Sequence, residues 1–226
     1  NAGNTVTYSA PVAGGPDDQA AGFAGLVQEM EAGKISTLVI VEGNPVFTAP
    51  ADLGFVKAME KVGLRVHLGL YDDETSRLCH WHAAEAHPLE AWSDARAFDG
   101  TVTILQPLIA PLFGGKSAHE LLAAFSDQPE KTGHDIVKDY WNGRLPGADF
   151  EAAWRKALHD GLVAGSAYPA KTVRVQSFPL PSRPRTPPDS STLTLLLRPD
   201  PTIWDGTYAN NGWLQELSKP LTKLTW

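Results

Sequence analysis

The apolar and polar positions between residues 38 and 70 predict a strand, a turn, a helix and a second strand. Residues 38–41 form an apolar run that is typical of a buried strand, and residues 43–45 are turn formers. Apolar residues then recur at helical spacing from 51 to 62, and residues 65–70 form a second strand pattern. This order predicts one parallel βαβ unit.

Strand and helix patterns alternate from the start of the chain to about residue 165. Further strands are predicted at residues 5–8 and 101–105, and further helices at 17–32, 73–82, 134–141 and 149–160, with a capping box at Ser117 and Glu120 before another helix. We therefore expect an α/β fold: a doubly wound, mainly parallel Rossmann-like sheet with helices on both faces.

The pattern changes beyond residue 170, which we take as the boundary between residues 1–170 and 171–226. A proline-rich crossing at 178–190 precedes an apolar strand at 191–198 and a turn-rich tail with Trp204 and Trp213. We expect this part to add a C-terminal edge strand, an extended tail and a return segment. The abrupt apolar end suggests a piece of a longer protein whose C-terminal domain is missing.

Composition supports a folded chain and excludes several classes. Hydrophobic residues make up 42% of the 226 residues and charged residues 20%, which is unlike a disordered chain. The net charge of −7 gives no attraction to nucleic acid or to an anionic membrane. Because Cys79 is the only cysteine, the chain has no internal disulfide and no all-cysteine cluster or zinc site.

Two loops, a first one at residues 43–45 and a second one at residues 72–75, are candidates for a ligand site because each follows a predicted parallel strand. In open α/β sheets, ligands bind in the crevice at the carboxyl ends of the strands. Acidic residues in the second loop could accept hydrogen bonds from a guanine, pterin or ribose edge, or could simply favour a helix N-terminus. The candidate residues are Gly43, Asn44, Pro45, Asp72, Glu74 and Thr75.

A cysteine–histidine cluster suggests a metal site at first sight. Cys79, His80, His82 and His87 are residue types that bind zinc, copper or iron. In a helix, however, His80 and His82 point in nearly opposite directions, and they share a face only on a strand. We expect hydrogen-bonded or solvated histidines and no tight metal site.

The motifs of common nucleophiles and nucleotide loops do not occur in this sequence. It has no G-x-S-x-G pattern, no Walker A motif and no G-x-G-x-x-G motif. The segment 114–117, Gly-Gly-Lys-Ser, precedes a helix and could hold an anion, but we expect it to cap that helix.

Several of these segments together resemble the molybdopterin oxidoreductase superfamily. The similar segments are Gly43-Asn44-Pro45 after a strand, Asp72-Asp73-Glu74-Thr75, and Leu89-Glu90. Glu42 replaces the first glycine of the G-x-N-P loop of that family, and an A-D-V-V-L-P core is missing. Residues 93–102, 106–112 and 211–217, with Pro220 and residues 222–226, resemble one branch, the large iron–sulfur subunit of the bacterial alternative complex III, a quinol:electron-acceptor oxidoreductase.

This resemblance implies a structural module of a respiratory electron-transfer complex, without its own redox centre or molybdenum cofactor. Iron–sulfur clusters would be held only by other parts of a full-length subunit. The implied partners are the remaining domains of that subunit and other subunits of a membrane-bound complex at the periplasmic face of the bacterial inner membrane. The alternative is the molybdopterin-guanine-dinucleotide-binding domain of an active oxidoreductase, whose cofactor would contact residues 43–45, 72, 74 and 75. Without the resemblance, a Rossmann-like nucleotide binder is a third possibility.

Overall fold

The computed structural model describes residues 5–12, 18–174, 193, 198 and 200–225. The chain divides into two compact units, Asn1–Thr172 and Val173–Trp226. In the second unit, the described helix is α8 (Gly212–Glu216), whose first turn is capped by the side chain of Asn211.

The first unit contains a mixture of short helices and strands. Its strands are β1 (Thr37–Val41), β2 (Leu64–Gly69), β3 (Trp81–Ala84), β4 (Ser93–Arg96) and β5 (Val102–Leu105). Its helices are α1 (Gln19–Glu31), α2 (Pro45–Thr48), α3 (Phe55–Met59), α4 (Glu74–Leu78), α5 (Ala118–Ala124), α6 (Gly133–Trp141) and α7 (Phe150–Asp160), with a 3₁₀ turn at Ala51–Leu53.

The predicted βαβ unit is confirmed. β1 and β2 are parallel neighbours, with Thr37 opposite Leu64 and Val41 opposite Leu68. β3 adds to the other side of β2 in the same direction, which gives a three-stranded parallel sheet in the order β1-β2-β3.

The doubly wound arrangement predicted from the sequence is not what the described residues form. The predicted strand at 101–105 exists as β5, but it pairs antiparallel with β4 in a separate two-stranded sheet. The fold is therefore α/β in a coarser sense, with one small parallel sheet and one antiparallel ribbon. Sequence pattern misses β4, because its residues Ser93-Asp94-Ala95-Arg96 have no apolar face.

Two separate apolar clusters support the two sheets. The first packs α1 and α3 onto the parallel sheet and contains Val27, Met30, Leu38, Phe55, Ala58, Met59 and Val62. The second packs α6 and α7 against β5 and contains Val102, Ile104, Val137, Trp141, Leu145, Trp154, Ala157 and Val163. Burial of such side chains is the main favourable term in folding.

Local helix signals are largely confirmed. The capping box is present, with the Ser117 hydroxyl bound to the Glu120 N–H and the Glu120 carboxylate bound to the Ser117 N–H. Asp149 caps α7, and Gly161 ends it with a left-handed φ of 73°. Asp18 caps α1, which begins at Gln19, two residues after the start of the predicted range 17–32.

Four other expectations need correction or lie outside the described residues. Residues 5–8, predicted as a strand, form a turn and a single bridge residue. Val6 and Tyr8 are each 45% exposed, so little burial stabilises a strand here. The predicted helix at 51–62 is broken at Gly54, where φ is +64°. The predicted helix at 73–82 stops at Leu78, and β3 follows. Most of the predicted strand at 191–198 is outside the described residues.

Candidate functional site

The two candidate loops meet at the carboxyl ends of β1 and β2, as predicted. Asn44 follows β1 and lies in contact with the first turn of α4, which follows β2. Its Nδ2 donates to Glu74 Oε2 at 2.7 Å, and its Oδ1 accepts from Thr75 Oγ1 at 2.8 Å. One side chain thus joins both loops through hydrogen bonds.

Thr75 is the centre of this junction. It is fully buried, and Asn44 is only 8% exposed. The Thr75 hydroxyl donates to Asn44 and accepts from the Val46 N–H at 3.1 Å, so its donor and an acceptor position are both used. The hydrogen bond from Asn44 lowers the pKa of Glu74, because it stabilises the ionised carboxylate. These side chains therefore hold the loops to each other.

The remaining acidic residues of the second loop serve the start of α4. The Asp73 carboxylate accepts from the Ser76 N–H at 2.8 Å, which is an N-cap. The Ser76 hydroxyl donates to Asp72 Oδ1 at 2.6 Å and lowers the pKa of that carboxyl. Helix capping, one of the two interpretations offered by the sequence, accounts for Asp73, whereas Asp72 binds a side chain of the first turn of α4.

The first loop begins with two residues in the left-handed region. Glu42 has a φ of 58° and Gly43 a φ of 69°. Glycine adopts this conformation freely, whereas a side chain at Glu42 makes it strained. Pro45 then occupies the first turn of α2, where its missing N–H costs nothing.

Two histidines whose contact was not predicted from the sequence lie next to this loop. His67 on β2 is 1% exposed, and its Nδ1 is 3.0 Å from Nδ1 of His82 on β3. Its Nε2 is 3.3 Å from the Gly43 carbonyl oxygen. His67 therefore donates to Gly43 and accepts from His82. Burial lowers the pKa of His67 and favours this neutral form. The signal that could have found the pair is the register of His67 opposite His82 in two parallel strands.

Two glutamates also lie at this edge of the sheet. Glu42 follows β1 and Glu85 follows β3, and each backbone N–H donates to a carbonyl of β2, that of Leu68 at 2.8 Å and that of Gly69 at 3.1 Å. Partial burial raises the pKa of Glu85 to about 7, and the neighbouring Glu42 adds to the effect. A neighbouring carboxylate favours the protonated form of Glu85, because it opposes a second negative charge.

This pair predicts a specific loss of stability toward alkaline pH. The folded state holds the Glu85 proton more tightly than the unfolded chain, whose Glu pKa is near 4.5. The stabilisation is therefore complete below pH 4.5 and is lost as the pH rises through about 7. Urea unfolding of wild type and Glu85→Gln at about pH 5 and pH 8 measures it, and wild type should lose more stability than the variant.

The comparison with the variant is needed because buried His67 acts in the opposite direction, being harder to protonate when folded. Glu60→Gln, at an exposed position, is the matched control and should follow wild type. Equal pH dependence in wild type and Glu85→Gln would contradict the prediction.

The cysteine–histidine cluster consists of side chains with separate partners. His80 Nδ1 accepts from the Arg65 N–H at 3.0 Å, and His87 Nδ1 accepts from the Leu89 N–H at 3.2 Å. Burial raises the pKa of the Cys79 thiol, which makes it a poorer ligand. Within the described ranges, no three His, Cys, Asp or Glu side chains are grouped so that they could hold a metal ion.

The Gly-Gly-Lys-Ser segment extends the parallel sheet as well as capping α5. Lys116 forms a bridge with Glu85, its N–H donating to Ala84 at 2.9 Å. A side chain at Gly115 would come within 2.9 Å of the Glu85 carbonyl oxygen, so the close backbone approach requires glycine. Lys116 itself lies 3.8 Å from Glu120.

A cleft of about 630 Å³ lies beside this segment, lined by residues that include Trp92, Ile109, Lys116 and His134. Glu90 anchors its rim, because its two carboxylate oxygens accept from the N–H groups of His87 and Leu112, each at 3.1 Å. Glu90 is one of the residues that carries the family resemblance, and its observed role is to hold two loops together.

Comparison with protein-family models and with curated proteins finds no match for this sequence. Among the helices described, none combines the length and the apolar character required to cross a lipid bilayer.

Proposed function

We propose that this chain is a structural module of a subunit related to the molybdopterin oxidoreductases, acting in a respiratory electron-transfer complex and carrying no redox centre of its own. The observation that supports the structural part of this proposal is that Asn44 forms its hydrogen bonds within the chain. Its donor and acceptor atoms are bound to Glu74 and Thr75, so the side chain that would contact a cofactor instead joins two loops of the same chain.

Burial supports the same conclusion. A cofactor site needs polar groups that converge on a cavity and remain available to the ligand. Thr75 is fully buried, and its hydroxyl is already bound to Asn44 and Val46. The carboxyl groups of Glu42 and Glu85 at this edge would also oppose the phosphates of a dinucleotide once ionised.

The assembly and its location belong to the proposal and rest on the sequence resemblance. The partners would be the remaining domains of the same subunit and other subunits of a membrane-bound complex, at the periplasmic face of the inner membrane. The doubly wound sheet is also part of this proposal, as an arrangement completed by other segments of a longer subunit.

The alternative is a domain that binds molybdopterin guanine dinucleotide, and one observation favours it. The loop that contains Gly43, with its left-handed backbone, meets the first turn of α4 at the carboxyl ends of parallel strands, through Asn44. This is where open α/β sheets bind nucleotides.

Calorimetry with guanine nucleotides and a pterin dinucleotide separates the two functions. We expect no sub-micromolar binding to this chain, because one loop pair would enclose much less than the roughly 70–90% of a ligand that real pockets bury. Sub-micromolar binding that disappears in Asn44→Ala would support the alternative and contradict the structural module. Metal and pterin analysis of an intact subunit is the complementary measurement.

A further inference from the structure

A second cleft, of about 380 Å³, lies beside the antiparallel ribbon and shares no lining residue with the two candidate loops. It is lined by Arg96 on β4, by Tyr140 and Trp141 at the end of α6, by Arg144 just after α6, and by residues 163–166. Its volume falls within the range of small-molecule sites. No Asp or Glu is among the described residues that line it, although the whole chain has a net charge of −7. The cleft is therefore positively charged in an acidic protein.

The two arginines of this cleft contact neutral groups. Arg96 donates to the Gly100 carbonyl at 2.8 Å, and its Cζ lies 5.2 Å from the ring centroid of Tyr168. Arg144 donates to the Tyr140 carbonyl, and its Cζ lies 4.2 Å from the centroid of the Tyr140 ring. Within the residues that the structure describes, neither arginine has a carboxylate within 4.0 Å. Each guanidinium therefore keeps its charge and further N–H donors for a ligand.

The acidic residue on the same face of β4 as Arg96 is already bound elsewhere. Asp94 precedes Arg96 by two residues, and residues two apart on a strand share a face. Its Oδ2 accepts from Trp141 Nε1 at 2.7 Å, and Trp141 is only 6% exposed. Asp94 itself does not line the cleft. The indole thus holds this carboxylate, and the arginines are not neutralised by direct contact with it.

The wall formed by residues 163–166 is fixed to β5 by hydrogen bonds. The Val163 N–H donates to the Val102 carbonyl at 2.8 Å. The Ser166 hydroxyl accepts from the Val102 N–H at 2.9 Å and donates to the Val163 carbonyl at 2.6 Å. Val102 and Val163 are both buried in the second apolar cluster. The cleft is therefore preformed on this side, as small-molecule sites usually are.

We propose that this cleft binds a phosphate dianion, either inorganic phosphate or the phosphoryl group of a small organic ligand, through Arg96 and Arg144. A guanidinium presents its N–H donors as a planar fork that matches two oxygen atoms of such a group. A phosphoryl group has three strong acceptor oxygens and a charge of about −1.5 to −2, which two arginines balance. A single carboxylate, with two oxygens and one charge, is satisfied by one arginine. This site does not depend on the proposed structural role of the chain.

Calorimetric titration of the full chain with inorganic phosphate and with glycerol 3-phosphate, at low salt and neutral pH, tests the site. We expect a dissociation constant on the order of 1 mM or tighter for at least one of the two. Arg96→Gln and Arg144→Gln should each weaken binding at least about tenfold, because each removes charge-assisted hydrogen bonds. Arg144→Lys keeps the charge but not the planar fork, so it should restore only part of the affinity. Arg155→Gln, at an exposed position of α7 outside the cleft, is the matched control and should bind like wild type.

Tighter binding of glycerol 3-phosphate would indicate an organic ligand, and equal binding would indicate inorganic phosphate. The proposal is wrong if wild type binds neither compound at about 10 mM, or if Arg155→Gln weakens binding as much as the cleft variants. Equal affinity for acetate would also overturn it. If the cleft variants do not fold, amide NMR of wild type still decides, because phosphate should shift the Gly165 signal at the cleft and leave that of Gly54, between the 3₁₀ turn and α3, in place.

Discussion

Asn44→Ala should lower the free energy of unfolding by about 2–3 kcal/mol, because it leaves a buried hydroxyl without its acceptor. Thr75 is completely buried and donates to Asn44, so the substitution removes the acceptor of a buried donor. The exposed Glu74 carboxylate can recover its hydrogen bond from solvent and adds little. Urea unfolding followed by circular dichroism at neutral pH measures the difference.

Asn142→Ala is the matched control, because Asn142 is exposed at the end of α6. It should change stability by no more than about 0.5 kcal/mol, as is usual for surface positions. If Asn44→Ala were as mild as this control, the junction would not hold the loops, and the argument that Asn44 is used internally would fail.

Trp154→Ala should lower the free energy of unfolding by more, about 3–5 kcal/mol, because it removes a buried aromatic side chain from the apolar cluster that packs α6 and α7 against β5. Trp154 is 3% exposed on α7. Its ring centroid is 6.3 Å from that of Trp92 and 6.1 Å from that of Phe150. The cavity left behind would lie between elements that are fixed by other contacts, so it can collapse only in part.

Trp213→Ala serves as the control for Trp154→Ala, since Trp213 is 89% exposed on α8. It removes the same atoms from a position in contact with solvent, and stability should stay within about 0.5 kcal/mol of wild type. Equal losses in the two variants would mean that the aromatic cluster around Trp154 contributes little. Thermal unfolding in parallel gives an independent measure.

Part of the candidate site can be predicted from the sequence. The sequence places residues 43–45 and 72–75 after two consecutive predicted strands, and the carboxyl ends of neighbouring parallel strands lie at one edge of a sheet. Their proximity was therefore predictable. The hydrogen bonds of Asn44 with Glu74 and Thr75 were not, because side-chain direction depends on the turn between Glu42 and Pro45 and on the packing around it.

Local signals determined the helix ends and the strands with apolar runs. The Ser117 capping box, the Asp149 cap and the Gly161 stop each depend on hydrogen bonds or backbone angles within a few residues, which is why the sequence specifies them. β1 follows from a continuous apolar run and β2 from apolar residues that alternate with Arg65 and His67, and burial of the apolar side chains is the dominant force.

Only the tertiary structure decided how β3, β4 and β5 pair and which titratable groups meet. β5 has a strand pattern of its own, but its partner β4 is polar, and its antiparallel pairing depends on contacts made elsewhere in the fold. His67 meets His82 because β2 and β3 are adjacent and place the two residues opposite each other. These residues are far apart along the chain, so no local pattern encodes their contact, and the free energy of packing the whole sheet selects it.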